Sequence, residues 1–493
     1  MSMEKRSQGS GAVLAVLSVA AFMASLDVFI VNVAFDDIGR QFHGASLSNL
    51  SWVLNAYAII YAAMLVPAGR IADRYGRKGG FLLGLALFTA ASAACAAASG
   101  IWWLVAFRAI QAIGAAILTP ASLGLVIATS APEHRARSVR IWAATGALAA
   151  ALGPAVGGML VELSWRWVFI VNIPIGLAAL AVGALLIPKS RDESVHSLPD
   201  MVGAALLAVA VGGVTFGVVQ GPQWGWTDGR VTASWFIAAG GLLGFLASTA
   251  RHPHPLIDPA LLRVRSFSWS NVTALLFAIP FAGSLLANIL WMQQVWGYSP
   301  LRTGFAVAAG PAMVPIFAAV AHRLTQVVPV GIVVSAGCLM FGIAGVVLSV
   351  LVGPTPNYAG AMLPGLLIGG IGVGLALPAI LSSATADLPQ SQAATGSAVV
   401  NMSRQVGTVL GVSLLVAVLG TPATYHAAHT AFQHAWWALA VAGVLAALTA
   451  PFMTPRATIS DETVDIADRA DGSGELRSSA APLIVPVSGG DVR

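Results

Sequence analysis

Charge is what this 493-residue sequence has least of. Asp, Glu, Lys and Arg together make up 9% of it, while 57% is hydrophobic and the mean hydropathy is +0.82. Soluble domains carry about 25% charged residues and need polar groups to cover their surface. The shortage excludes a cytosolic enzyme, a secreted disulfide scaffold and a disordered chain, and it points to a polytopic helical membrane protein. Cysteine is nearly absent. Cys95 and Cys338, the only two, fall in apolar runs and read as small core residues with no disulfide and no metal. A phosphate loop of the form G-x-x-x-x-G-K-[ST] is also missing, which argues against a nucleotide-driven pump. No Ser/His/Asp or paired-carboxylate arrangement supports an enzyme. His426, His429 and His434 are expected in the outer loop before the last span, with no cysteine or acid to complete a metal site. No metal and no cofactor are expected.

Long apolar runs are plentiful. About 20 apolar residues cross a bilayer, and such runs lie near 12–34, 50–69, 79–99, 102–128, 139–162, 168–188, 199–219, 233–250, 271–292, 304–321, 329–351, 359–381, 395–419 and 436–453. They lack the two-residue alternation of a membrane barrel, so all fourteen read as helices. The run after Met1–Ser10 is too long for a signal peptide and reads as a retained first span. With alternate loops assigned to alternate sides, nineteen basic residues fall on one side, and only Arg40, Arg166, Arg230 and Arg302 on the other. The positive-inside rule makes the first side cytoplasmic, with both termini there, and explains the basic net charge of +5 without nucleic acid. The tail from Pro455 is acidic and rich in Gly, Ser and Ala, and reads as disordered.

Several strings resemble the major facilitator superfamily. The loop between spans 2 and 3 reads Gly69-Arg-Ile-Ala-Asp73-Arg74-Tyr-Gly76-Arg77-Lys78 and is similar to that superfamily's loop signature G-x-x-x-D-R-x-G-R-[RK]. The glycines permit a tight turn, and Asp73 can accept hydrogen bonds from a helix start or from nearby arginines. The resemblance implies a latch on the cytoplasmic gate. Span 5, Gly146-Ala-Leu-Ala-Ala-Ala-Leu-Gly153-Pro154-Ala-Val-Gly157-Gly158, resembles the antiporter signature, where small residues allow close helix approach and Pro154 bends the helix. Four further strings look like the fourteen-helix drug:proton antiporter family: Leu26-Asp27-Val-Phe-Ile-Val31-Asn32-Val-Ala34, Trp165-Arg166-Trp167-Val-Phe169-Ile-Val-Asn172-Ile-Pro174-Ile-Gly176, Gly297-Tyr298-Ser299-Pro300 with Gly304, and Asn401-Met-Ser-Arg404-Gln405-Val-Gly407. Span 4 departs from the family pattern R-x-x-Q-G-x-G: it reads Arg108-Ala-Ile-Gln111-Ala112-Ile-Gly114, with Ala112 in place of a glycine. The resemblance implies an all-α major facilitator fold. It would have a cytoplasmic N-terminus (1–11), one six-helix bundle (12–188), two inserted helices with their linkers (189–270), a second six-helix bundle (271–454) and the tail (455–493). The transport site would lie between the bundles near mid-membrane.

Only three charges fall inside spans: Asp27, Arg108 and Arg404. Each costs roughly 2.5–3.5 kcal/mol at membrane depth on insertion scales, so each is a functional candidate. Counted from the span ends at 1.5 Å per residue, Asp27 and Arg108 both lie on the order of 10 Å below the outer surface. The expectation is an alternating-access multidrug:proton antiporter in the inner membrane. In it Asp27 binds the proton and, when ionised, attracts a cationic substrate, while Arg108 and Gln111 relay or gate the protonation. The competing reading of Asp27 is a structural carboxylate paired permanently with Arg108. Candidate cavity residues are Asn32, Asn55, Tyr57, Trp291, Asn401 and Arg404; an arginine there suits anionic or zwitterionic substrates and weakens the case for purely cationic drugs. The expected partners are small-molecule drugs or metabolites, protons and the lipid bilayer, with the chain acting as a monomer. The rival readings are a dedicated exporter of one endogenous metabolite or antibiotic, a non-transporting scaffold or sensor, and an uptake symporter, which the span-5 string disfavours.

Overall fold

In a hydrocarbon layer every backbone N–H and C=O must find a partner inside the chain, and continuous apolar runs therefore close into helices. A computed structural model describes residues 3–42, 45–190, 199–389, 392–420 and 425–454. It contains fourteen helices long and apolar enough to span a membrane. The first six are α1 (Gly11–Gln41), α2 (Leu47–Tyr75), α3 (Arg77–Ala96), α4 (Ile101–Thr129), α5 (Arg135–Leu163) and α6 (Trp167–Leu186). Next come α7 (Met201–Trp224) and α8 (Gly229–Arg251), then α9 (Arg265–Val295), α10 (Pro300–Leu324), α11 (Val330–Leu351), α12 (Tyr358–Ala386), α13 (Ala393–Leu419) and α14 (His426–Met453). The fourteen-span expectation is met. The expected tail lies outside the described residues.

Two boundaries differ from the apolar runs for physical reasons. The α1 helix continues past the apolar stretch to Gln41, because Arg40 pairs with Asp36 and Asp37 at helical i,i+4 and i,i+3 spacing. The last helix begins about ten residues before its apolar run, so His426, His429 and His434 sit on a helix rather than in a loop. Phe432 and Trp436, one turn apart, are buried there, and the His429 ring packs on Trp291 at 5.6 Å.

The packing is a doubled pattern. In the first bundle α1 packs on α4, α5 and α6, α4 on α2 and α3, and α3 on α6. In the second, α9 packs on α12, α13 and α14, α12 on α10 and α11, and α11 on α14. The two sets correspond helix for helix, and the bundles meet along two equivalent seams, α5 with α10 and α2 with α13. The inserted α7 and α8 form a hairpin, and α7 leans on α2 and α13 beside the second seam. Asp200 fastens the hairpin base: it caps α7 at the Gly203 N–H (2.6 Å) and accepts from Ser248 Oγ on α8 (2.9 Å).

One end of the molecule, the end of the α1–α2 turn, is stitched across the bundles. Gln293 Nε2 donates to Val33 O (3.1 Å) and Gln294 Nε2 to Asp36 (2.9 Å). The Leu301 N–H donates to Glu162 (3.2 Å) and Asn55 Nδ2 to Ser413 Oγ (3.4 Å).

Candidate functional site

The polar residues of the first bundle converge on Asp27. Three other helices supply the network around it. Arg108 and Gln111 stand one turn apart on α4, Ser92 and Cys95 one turn apart on α3, and Asn172 near the start of α6. Gly84 and Gly114 set the α3–α4 spacing: a Cβ on Gly114 would lie 2.6 Å from the Phe88 nitrogen and one on Gly84 2.9 Å from Gly114 O. Only glycine permits that approach, and it brings Ser92 within reach of Gln111. Ala112, where the family pattern has glycine, is fully buried and its methyl is accommodated.

Asp27 Oδ2 accepts from Arg108 Nη1; Oδ1 accepts from Gln111 Nε2 at 2.9 Å and Asn172 Nδ2 at 3.1 Å. Arg108 also donates to Gln111 Oε1 (2.8 Å) and, through Nε, to Val53 O on α2 (3.3 Å). Its guanidinium covers the Tyr57 ring, 4.1 Å from the centroid. Gln111 Nε2 reaches Ser92 Oγ at 2.8 Å, and Ser92 passes the chain on to Phe88 O at 2.8 Å. Asp27, Gln111, Ser92 and Asn172 have no exposed surface and Arg108 has 1%. The carboxylate is thus fully paired and closed off from the surface. That geometry ties the charge of one carboxylate to helices α1, α2, α3, α4 and α6 together.

Sequence reasoning selects Asp27, Arg108 and Gln111, which the structure brings together. It quotes Asn172 only as part of a string, reads Cys95 as a small core residue and does not single out Ser92. A usable signal existed: Ser92 and Cys95 lie three apart on one helix face, like Arg108 and Gln111. The expectation that Asp27 attracts substrate directly meets a correction, because the side chain is enclosed by its own bundle. Trp291 does not line the space between the bundles either. It is fully buried against His429, Phe432 and Trp436 inside the second bundle, because its large ring fills the α9–α14 contact. Asn32 and Asn401 spend their amides on their own helices, at Val28 O and Ser397 O, both 2.8 Å. Tyr57 is buried beneath Arg108 and stacks on Tyr61, with centroids 6.0 Å apart and planes at 8°. Arg404 sits at the middle of α13 with partial exposure.

The span-5 string and the Gly297–Gly304 string are two sides of one seam. A Cβ on Gly158 would lie 2.5 Å from Pro300 O, and one on Gly304 2.2 Å from Pro154 O. Gly153 and Gly157 meet Phe29 and Ile30 of α1 as closely, at 2.5 and 3.0 Å, whereas Gly146 has ordinary contact at 3.9 Å from Ser25. At the opposite end, Gly76 turns the chain between α2 and α3 at φ 123°, a conformation open to glycine, and Gly69 packs on Pro120 of α4. Asp73 does not cap α3; it accepts from Arg77 Nε at 2.5 Å. Lys78 Nζ donates to Ala184 O at the end of α6 (2.7 Å), Arg74 covers Tyr75, and Arg70 reaches His254 O after α8 (3.2 Å).

The sequence profile described as Major Facilitator Superfamily matches residues 17–412. The chain belongs to that superfamily. Its fourteen spans agree with the fourteen-helix branch that its motifs resemble, and it is a multi-pass membrane transporter, not an enzyme. Among its superfamily relatives, "Multidrug resistance protein Stp" of Mycobacterium tuberculosis is 33% identical over 81% of this chain and 74% of its own length. "Methylenomycin A resistance protein" of Bacillus subtilis is 31% identical over 86% and 91%. A solved POT family transporter, in complex with 5-aminolevulinic acid, superposes with a TM-score of 0.66 at 15% identity, over 90% of this chain and 96% of that one. That last likeness is of fold alone.

Proposed function

We propose that the protein exports small amphipathic drug-like or antibiotic-like molecules across the cytoplasmic membrane, driven by the proton gradient and working by alternating access. The observation that carries this reading is the buried carboxylate of Asp27 at the centre of a four-helix polar network. A proton taken up on Asp27 removes the charge that holds Arg108. The guanidinium then rests on Gln111, Val53 O and Tyr57, and the last two belong to α2, the helix that packs on α13 across a seam. Proton binding inside one bundle is therefore felt at the contact between bundles.

In this reading the bundles 12–188 and 271–454 rock about the seams, and the α1–α2 end faces outward by the positive-inside rule. The Gly158–Pro300 and Gly304–Pro154 contacts form the outer gate, and the Gly69–Lys78 loop forms the cytoplasmic latch. Both termini are then cytoplasmic. The resistance proteins among the relatives support export of toxic small molecules. The second reading, a dedicated exporter of a single antibiotic or metabolite, is favoured by the relatives named for one compound each, such as "Tetracenomycin C resistance and export protein" of Streptomyces glaucescens, 33% identical over 59% of this chain.

The test is transport by the purified full chain in proteoliposomes under an imposed pH gradient, across a compound panel. The native protein moves at least one compound against its gradient, and Asp27→Asn does not. Asp27→Asn alone leaves Arg108 buried without a counter-charge, at a cost of about 3–5 kcal/mol. The double variant Asp27→Asn/Arg108→Gln removes both charges and serves as the folded control. Proton-coupled transport at the native rate by either variant would overturn the assignment.

A further inference from the structure

Three charges stand at span depth, and only one of them keeps more than a trace of accessible surface. Asp27 has no exposed surface and is held by three donors, and Arg108 answers it with 1% exposure. Arg404 differs. It lies mid-helix on α13, keeps accessible surface, and among the described residues its side chain has no ion-pair partner and no hydrogen-bond acceptor. A guanidinium at that depth is costly unless water or an anion meets it. Across the seam Ala58 and Ile59 share an apolar cluster with Val409, and Ala62 and Val66 share one with Val399 and Met402, which puts Tyr61 at the level of Arg404. Tyr61 is also partly exposed, stacks on Tyr57 and donates its hydroxyl to Thr119 Oγ1 at 3.3 Å. On its far side Tyr57 carries the Arg108 guanidinium. A column of two stacked rings thus runs from the buried ion pair to the level of Arg404, and among the described residues no carboxylate pairs with Arg404.

Building on the export reading above, we propose that the substrate site accepts planar aromatic anions, with Arg404 pairing with the anionic group and Tyr61 stacking on the ring. A flat guanidinium binds a carboxylate or phenolate through two parallel hydrogen bonds, and a neighbouring ring face holds the aromatic part. A cation placed there meets a like charge with no acid to offset it. This inverts the charge preference expected from Asp27 alone.

The probes are fluorescein and rhodamine 123, which share a xanthene ring and carry opposite charge. Binding to the purified full chain is read by fluorescence polarisation without any gradient. Fluorescein binds the native protein more tightly, and Arg404→Gln weakens it about tenfold, the size of one charge-assisted contact. Arg404→Glu reverses the order of the two dyes. Tyr61→Leu keeps the charge, removes the ring and weakens fluorescein about fivefold; it also serves if the Arg404 variants do not fold. Rhodamine 123 binding as tightly as fluorescein, no binding of fluorescein, or fluorescein affinity indifferent to Arg404 and Tyr61 each overturns the proposal. The export reading fails separately: fluorescein bound through Arg404 but not moved by a pH gradient refutes export and leaves the site standing. Gradient-driven movement of rhodamine 123 independent of Arg404 refutes the site and leaves export.

Discussion

A single methyl at Gly304 tests whether the α5–α10 seam is the outer gate. The Cβ of Gly304→Ala would lie 2.2 Å from Pro154 O and 3.2 Å from the Ala155 Cα. Both are backbone atoms of the facing helix, so no rotamer change relieves the contact and the helices must part. Overpacking of this kind costs about 1–3 kcal/mol. If the seam opens in the other transport state, that state is spared the cost, and the equilibrium moves toward it by about 5- to 150-fold. The readout is thiol labelling. Cys95 and Cys338 are both fully buried and give a quiet background, and Ser413, which Asn55 meets across the same end, has no exposed surface. In a Ser413→Cys protein a membrane-impermeant maleimide therefore labels slowly. Adding Gly304→Ala raises the labelling rate several-fold or more, and Gly146→Ala, whose Cβ makes only an ordinary 3.9 Å contact, leaves it unchanged. A labelling rate unmoved by Gly304→Ala in protein that elutes as native would refute the gate assignment.

Three further outcomes are expected. Asn172→Ala removes one of the three donors to Asp27 and leaves a buried acceptor short of a partner, which lowers thermal stability by about 1–3 kcal/mol in a melting assay; no loss would show that Asn172 is not needed by the network. Asp73→Asn breaks a partly exposed pair with Arg77 worth about 1 kcal/mol or less, yet it lowers transport several-fold if the loop is a latch. A variant transporting at the native rate would reduce the loop to a topology signal. Gly76→Ala forces a side chain into a backbone conformation at φ 123° and destabilises by about 1–3 kcal/mol on thermal unfolding, whereas Gly79→Ala, whose Cβ meets nothing within 4 Å, is neutral.

The fold was legible wherever a single physical quantity decides it. Continuous hydrophobicity marks a helix in lipid, and so all fourteen spans could be counted from composition along the chain. Helix ends were not, because they follow other forces: the Arg40 ion pairs extend α1 through two aspartates that hydropathy assigns to a loop, and aromatic packing on Trp291 carries α14 into a histidine-bearing segment. The site was legible in part for the same reason. Buried charge is expensive, and expense singled out Asp27, Arg108 and Arg404. The neutral donors around Asp27 carry no such penalty in the sequence. Ser92 and Asn172 look like any hydroxyl or amide in an apolar run until the Gly84–Gly114 approach brings α3 against α4 and the α6 start falls beside α1.

What hydropathy and charge leave open is direction, meaning which residues of a span face the partner bundle. Trp291 and Tyr57 were equal candidates for a cavity wall. Packing sends the first into the core of its own bundle and puts the second beneath Arg108, one turn from a tyrosine that does reach the seam. The same selection separates the two unlocked roles a mid-membrane charge can have. In the proposed mechanism Asp27 is enclosed where only a proton would follow, and Arg404 keeps surface where a larger anion would. A transporter built that way would couple the two through the helices between them. Here those helices are α2 and α13, so a substitution that loosens their seam while sparing both charges is the perturbation that should uncouple proton flux from substrate flux.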